Sequence, residues 1–238
     1  MKKFSLGIGT LVCLGMFSLG ATFYGENPGP GLHEQKLKNG RYLVYLPAGY
    51  SQIARYPLVI LSHSDPDGNA TVDPQALMKS WVALADARGY IIALPLAGGV
   101  FFAIDEWYLE ALEMIKSYYA ADPRRVLVTG FGTGGHYALH LGVTYPGEFT
   151  AVSPVAGTFE GWWKGLMKFK GGNRPKFYFL AGANDSRVPP SKVKAAADEM
   201  RQKGYSAEFE ELANLGHAYS DEMTVKIADW FDGLKKRG

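Results

Sequence analysis

The sequence predicts an α/β domain: a mostly parallel sheet covered by helices on both faces. Two observations carry that prediction. Short apolar runs alternate with helical patterns along most of the chain, the mark of βαβ units. Composition and length agree. Hydrophobic residues make up 47% of the 238 residues and charged residues 20%, which suits one large globular unit with its own core.

The elements follow in order. Arg41 to Leu46 and Leu58 to Ser62 read as strands. Pro74 to Ala87 reads as a helix, with Asp73 as N-cap and Pro74 at its first position, where a missing N–H costs nothing. Tyr90 to Leu94 is a strand, Ala103 to Ala120 a helix, Arg125 to Thr129 a strand and Gly134 to Thr144 a helix. Thr150 to Val155, Lys176 to Leu180 and Ala207 to Glu211 are strands, and Ser191 to Lys203 and Ser220 to Lys235 are helices. Right-handed crossovers then gather the functional loops at the carboxyl ends of the strands.

The first residues read differently. Met1-Lys2-Lys3 is a short positive start, Phe4 to Leu19 is uncharged and apolar, and Ser18 to Ala21 offers small residues for cleavage. Residues 1–21 therefore read as an export signal, or alternatively as a membrane anchor, since Ser5 to Tyr24 is about long enough to span. Residues 22–34 read as a linker, with Tyr24 to Gly31 rich in Pro and Gly, and 35–238 as the domain. Cys13 is the sole cysteine. Cleavage would remove it, and with it disulfide and thiolate chemistry. A net charge of +2 without a basic run argues against nucleic acid as a partner.

Chemistry concentrates at one turn. Val126 to Thr129 runs straight into Gly130-Phe131-Gly132-Thr133-Gly134-Gly135 and then a helix. The glycine spacing does not match a dinucleotide loop and no Walker lysine follows, so no cofactor is expected. A strand, a glycine-rich turn and a helix are the context of a nucleophile elbow, G-x-S-x-G. The central residue here is Gly132, which has no hydroxyl. A turn without function remains the bland alternative. Two later loops weigh against it. Asp185 follows the strand ending at Leu180, with Val188-Pro189 three residues on, and His217 follows Gly216 between the last strand and the last helix.

Elbow, aspartate and histidine in that order, each after a strand, resemble the α/β-hydrolase superfamily. The resemblance runs from Arg41 to the C-terminus. It is nearest to the group of polyhydroxybutyrate depolymerases, feruloyl esterases and phospholipase/carboxylesterases. Tyr42 to Tyr50 looks like that group's opening strand and P-x-G-Y turn, and Pro57 to His63 like the strand entering its oxyanion loop. The resemblance implies a fold with the parallel sheet described above and carboxylic ester chemistry on a small-molecule ester or related ligand. It implies Asp185 and His217 as acid and base, with Gly132 at the nucleophile position. Oxyanion donors would come from Ser64 and the Thr133 N–H. His63, Phe131, Trp162 and Trp163 are candidate pocket residues.

Two positions depart from the pattern. Gly132 replaces serine, and His63-Ser64 stands where the group has His-Gly. Without a hydroxyl no acyl-enzyme can form at Gly132. Three readings follow: a pseudoenzyme that binds a ligand, hydrolysis by water that His217 activates, or Ser64 as substitute nucleophile. Glycine also suits a strained elbow once catalysis is not required, so Gly132→Ser should lower the melting temperature. His136 and His140, four apart on one helix face, read as packing residues, because a third metal ligand and an H-E-x-x-H glutamate are missing.

Overall fold

The computed structural model describes residues 28–38, 40–63, 73–97, 104–160 and 163–234. The chain runs β1 (Gly31–Leu37), β2 (Gly40–Leu46), β3 (Tyr56–Ser62), α1 (Pro74–Arg88), β4 (Ile91–Ala97), α2 (Ile104–Tyr118), β5 (Ala121–Phe131) and α3 (Thr133–Thr144). It continues through β6 (Ala151–Val155), α4 (Trp163–Leu166), β7 (Lys176–Gly182), α5 (Pro190–Gln202), β8 (Ala207–Leu212) and α6 (Asp221–Leu234). The eight strands form one sheet in the order β1-β2-β4-β3-β5-β6-β7-β8. The β1–β2 and β2–β4 pairs are antiparallel, and every later pair is parallel. This is the α/β-hydrolase fold.

Alternation along the parallel strands builds two cores. Leu58, Ile60, Val126, Val128, Phe177 and Phe179 face one layer, where α2, α3 and α5 pack. Val59, Leu61, Leu127, Tyr178 and Leu180 face the other, covered by α1 and α6. A period of two with both faces buried explains why these strands read as unbroken apolar runs. Helix α1 starts as expected: the Asp73 carboxylate accepts the Ala76 N–H at 3.0 Å. It stops at Gly89, whose φ of 70° is left-handed, the usual device at a helix end.

The structure adds two elements that the pattern missed. Strand β1 begins at Gly31, so residues 31–34 lie in the sheet and not in a linker. It is an edge strand of alternating half-buried and exposed residues, so it carries no apolar run. Helix α4 is four residues long, too short for a period. The signal or anchor segment 1–21, Cys13, Ser64 and Trp162 lie outside the described residues, as does the side chain of Trp163. Among the described residues no helix is long and apolar enough to cross a membrane.

Candidate active site

The carboxyl ends of β5, β7 and β8 converge on one place. Strand β5 ends at Phe131 and α3 starts at Thr133, leaving Gly132 alone to turn the chain. Its φ is 56° and ψ −117°, a conformation disfavoured for any residue with a β-carbon. The Gly132 N–H donates to Val155 O at 3.0 Å, and Gly132 O accepts from His136 N at 2.9 Å. Both backbone groups of the turn are thus committed.

The neighbouring glycines serve close approach, not conformational freedom. A β-carbon on Gly130 would lie 2.3 Å from Ser62 O, one on Gly134 2.2 Å from the same oxygen, and one on Gly135 2.2 Å from Val155 O. Helix α3 therefore rests directly on the backbones of β3 and β6, and only glycine permits that seat. Next to this seat the Ser62 hydroxyl is buried with no hydrogen-bond partner among the described residues. Sequence reasoning did not single it out.

Asp185 lies in the loop after β7. It is 3% exposed. One oxygen, Oδ1, accepts the N–H groups of Arg187 at 2.9 Å and Val188 at 2.8 Å, which fixes the carboxylate in plane. The other, Oδ2, lies 2.7 Å from His217 Nδ1. Facing a carboxylate, Nδ1 carries the proton, and Nε2 is left as an acceptor. Nε2 has no partner among the described residues, and the Phe131 ring packs on the imidazole at 4.7 Å between centroids.

The acid and histidine loops are zipped together. Ala183 N–H donates to Leu212 O and Asn184 N–H to Leu215 O, both at 2.8 Å. A β-carbon on Gly182 would sit 2.3 Å from Leu215 O, so this glycine admits the histidine loop. Tyr219, whose ring lies 6.1 Å from that of Phe131, is a second residue that sequence reasoning missed. Its hydroxyl accepts from Trp81 Nε1 at 3.2 Å and Thr224 Oγ1 at 3.0 Å. Burial pushes its pKa up to about 12, partly offset by those two bonds. Tyr219 thus ties the histidine loop to α1 and α6.

The other proposed residues are placed as follows. Thr133 opens α3, and its N–H is among the first-turn donors that no helix carbonyl can satisfy. His63 directly follows β3 at the same sheet edge. His136 sits one turn after Gly132, and its Nδ1 accepts the Thr158 N–H at 2.9 Å. Burial depresses its pKa below the ordinary imidazole value, opposed by the Thr158 carbonyl oxygen, which lies 3.0 Å from the same nitrogen. His140 points elsewhere, to Asp105, 2.8 Å from Nε2. The two histidines on this helix therefore have separate partners. Among the described residues no group of three or more His, Cys, Asp or Glu could hold a metal ion.

No protein-family model matches the chain. A 122-residue stretch is 26% identical to a bifunctional acetylxylan esterase/xylanase from Neocallimastix patriciarum; it covers 48% of this chain and 17% of that protein. Solved structures share the architecture. S-formylglutathione hydrolase FrmB from Staphylococcus aureus superposes with a TM-score of 0.63 at 14% identity, over 81% of this chain and 92% of that one. A ferulic acid esterase from Anaeromyces mucronatus gives 0.59 at 17% identity, over 84% and 89%. A dipeptidyl aminopeptidase IV-type chain from Bacteroides ovatus gives 0.72 at 14% identity, and this chain spans 36% of its length. At such identity these likenesses establish the fold alone.

Proposed function

We propose that this chain is an exported esterase-type hydrolase with Gly132 in the nucleophile position, and that it binds a carboxylic ester or related small molecule without forming an acyl-enzyme. The observation that supports this best is the pairing of an intact base with a bare turn. Asp185 and His217 are joined at 2.7 Å, while the turn that should present a hydroxyl keeps its strained backbone and carries no side chain. Covalent catalysis needs that hydroxyl. Recognition needs only the pocket and the oxyanion donors, for which Thr133 N–H and the loop carrying Ser64 are the candidates, with His63, Phe131, Trp162 and Trp163 as walls. Export rests on the signal-like character of residues 1–21.

The test is hydrolysis of p-nitrophenyl and feruloyl esters by wild type, Gly132→Ser and His217→Ala proteins. Loss of serine or histidine from an assembled triad removes on the order of 10⁶ in turnover. Gly132→Ser is therefore expected to raise turnover by at least about 10³-fold over a nearly silent wild type.

One observation favours a second reading. His217 Nε2 is unpartnered among the described residues and held by a buried carboxylate. It is placed to take a proton from water while that water attacks the ester carbonyl. In that case wild type turns over, His217→Ala abolishes the activity, and Gly132→Ser adds little. That outcome would overturn the binding proposal.

A further inference from the structure

A second cleft lies at the opposite edge of the sheet. Asp122, Arg124, Arg125, Thr150, Lys176, Phe231 and Leu234 line a cavity of about 540 Å³. These residues come from the start of β5, the residue before β6, the start of β7 and the end of α6. Arg125 and Phe131 are six residues apart on β5, so the cleft is roughly 20 Å from the Gly132 turn at the rise of a strand. The volume falls within the range of small-molecule sites.

Its charges resolve into pairs and a remainder. Arg124 pairs with Asp122 at 3.2 Å. Asp232 takes Arg125 at 3.1 Å and Arg88 at 3.3 Å, and Arg88 also meets Asp229 at 2.7 Å. Lys176 alone in the lining has no carboxylate partner among the described residues. The local balance is therefore one surplus cation.

We infer that this cleft binds a small organic carboxylate between the Arg125 guanidinium and the Lys176 ammonium. The guanidinium lies over the Phe231 ring at 5.1 Å and gives one N–H to Asp232. Its other N–H donors remain for a ligand, and a guanidinium matches a carboxylate with two parallel bonds. Lys176 stands two strands away, about 10 Å across the sheet, so the two cations flank the cleft. One surplus charge selects a monoanion. A dianion such as phosphate would meet the Asp122 carboxylate in the wall and would fill little of the cavity. The apolar atoms of Phe231 and Leu234 suit the carbon skeleton of an organic acid.

The experiment is calorimetric titration of the full chain with galacturonate, galactose and inorganic phosphate. Galacturonate is expected to bind at least about tenfold more tightly than its neutral twin galactose, the effect of one charge-assisted contact. Phosphate is expected to bind more weakly than galacturonate. Lys176→Ala should weaken galacturonate by about tenfold with an unchanged melting temperature, because the Lys176 ammonium has no ion-pair partner among the described residues. Arg125→Lys keeps the charge but loses the fork, and should also weaken binding. His217→Ala should leave it unchanged. Equal affinity for galactose, tighter binding of phosphate, indifference to Lys176→Ala or the absence of any binding would each overturn the inference.

Discussion

Among the described residues two part-buried histidine–aspartate pairs stand out, and they have opposite characters. His217 meets Asp185 at 2.7 Å and His140 meets Asp105 at 2.8 Å. The distances do not tell them apart. The other ring nitrogen does. His140 Nδ1 faces the Thr144 hydroxyl at 3.5 Å, and its Asp105 also accepts Tyr137 and Tyr145 hydroxyls at 3.0 and 2.9 Å. That pair is a closed network fastening α2 to α3. His217 Nε2 has no partner among the described residues, and Asp185 spends its remaining oxygen on the backbone N–H groups of Arg187 and Val188. A short contact between imidazole and carboxylate is thus no sign of chemistry. The difference between the pairs lies in the second ring nitrogen, engaged in His140 and unpartnered among the described residues in His217.

The largest expected effect separates the two pairs by catalysis. In a Gly132→Ser background, His217→Ala should lower turnover by about 10⁴–10⁶-fold. His140→Ala in the same background should stay within about threefold of the parent. Steady-state kinetics on the two double variants checks this. A loss through His140 equal to that through His217 would erase the distinction.

The next effect strikes both pairs at once, because α3 carries His140 and abuts the turn. Gly135→Ala drives a β-carbon to 2.2 Å from Val155 O. A backbone atom cannot step aside, so a cost above about 3 kcal/mol is expected. Thermal unfolding should show it together with altered exchange of amides in both networks.

A smaller stability difference then tells them apart again. Asp105→Asn strips a charged acceptor from three donors and should cost about 2 kcal/mol, or about 4–8 °C in melting temperature. His217→Ala should change stability by less than about 1 kcal/mol, because Asp185 keeps its two backbone donors. Gly132→Ser should cost about 1–3 kcal/mol, because serine must adopt the φ of 56° that glycine holds freely. An unchanged melting point for Gly132→Ser would show the turn to be unstrained.

The smallest effect is in pH. Burial raises the Asp105 pKa, but the bonds from His140, Tyr145 and Tyr137 outweigh it and leave it below 3.8. A carboxylate with a depressed folded value stabilises the fold above its unfolded value, and that contribution fades as pH falls through the folded one. The melting gap between wild type and Asp105→Asn should therefore be full at pH 7 and close only below about pH 4.

Much of this was legible in the chain. The parallel strands announced themselves because both their faces are buried, as Val126 to Thr129 shows. The order Gly132, Asp185, His217 placed the site because each residue follows a strand of one sheet. Strand β1 was not legible, since Gly31–Leu37 lies at an edge and shows no apolar run. The Asp105 network was not legible either. His140 was read as a packing residue, but its partner stands 35 positions away and no local spacing announces it. Gly182 and Tyr219 escaped for the same reason: Gly182 meets Leu215 O on the loop after β8, and Tyr219 meets Trp81, 138 positions away on α1. The glycines of the turn were read as a signature, and the structure gives their cause in the backbone contacts of α3.

The strand order has a consequence for how the site comes into being. Strands β5, β6, β7 and β8 lie side by side in chain order, each added to the outside of the last through a crossover. The turn at Gly132 depends on β3, β5 and β6. The Asp185–His217 bond depends on β7 and β8, the last two strands on that side, and spans 32 residues. Non-local parallel pairing of this kind is slow to form. The turn can therefore be seated without β8, whereas the Asp185–His217 bond requires β7 and β8 to be paired.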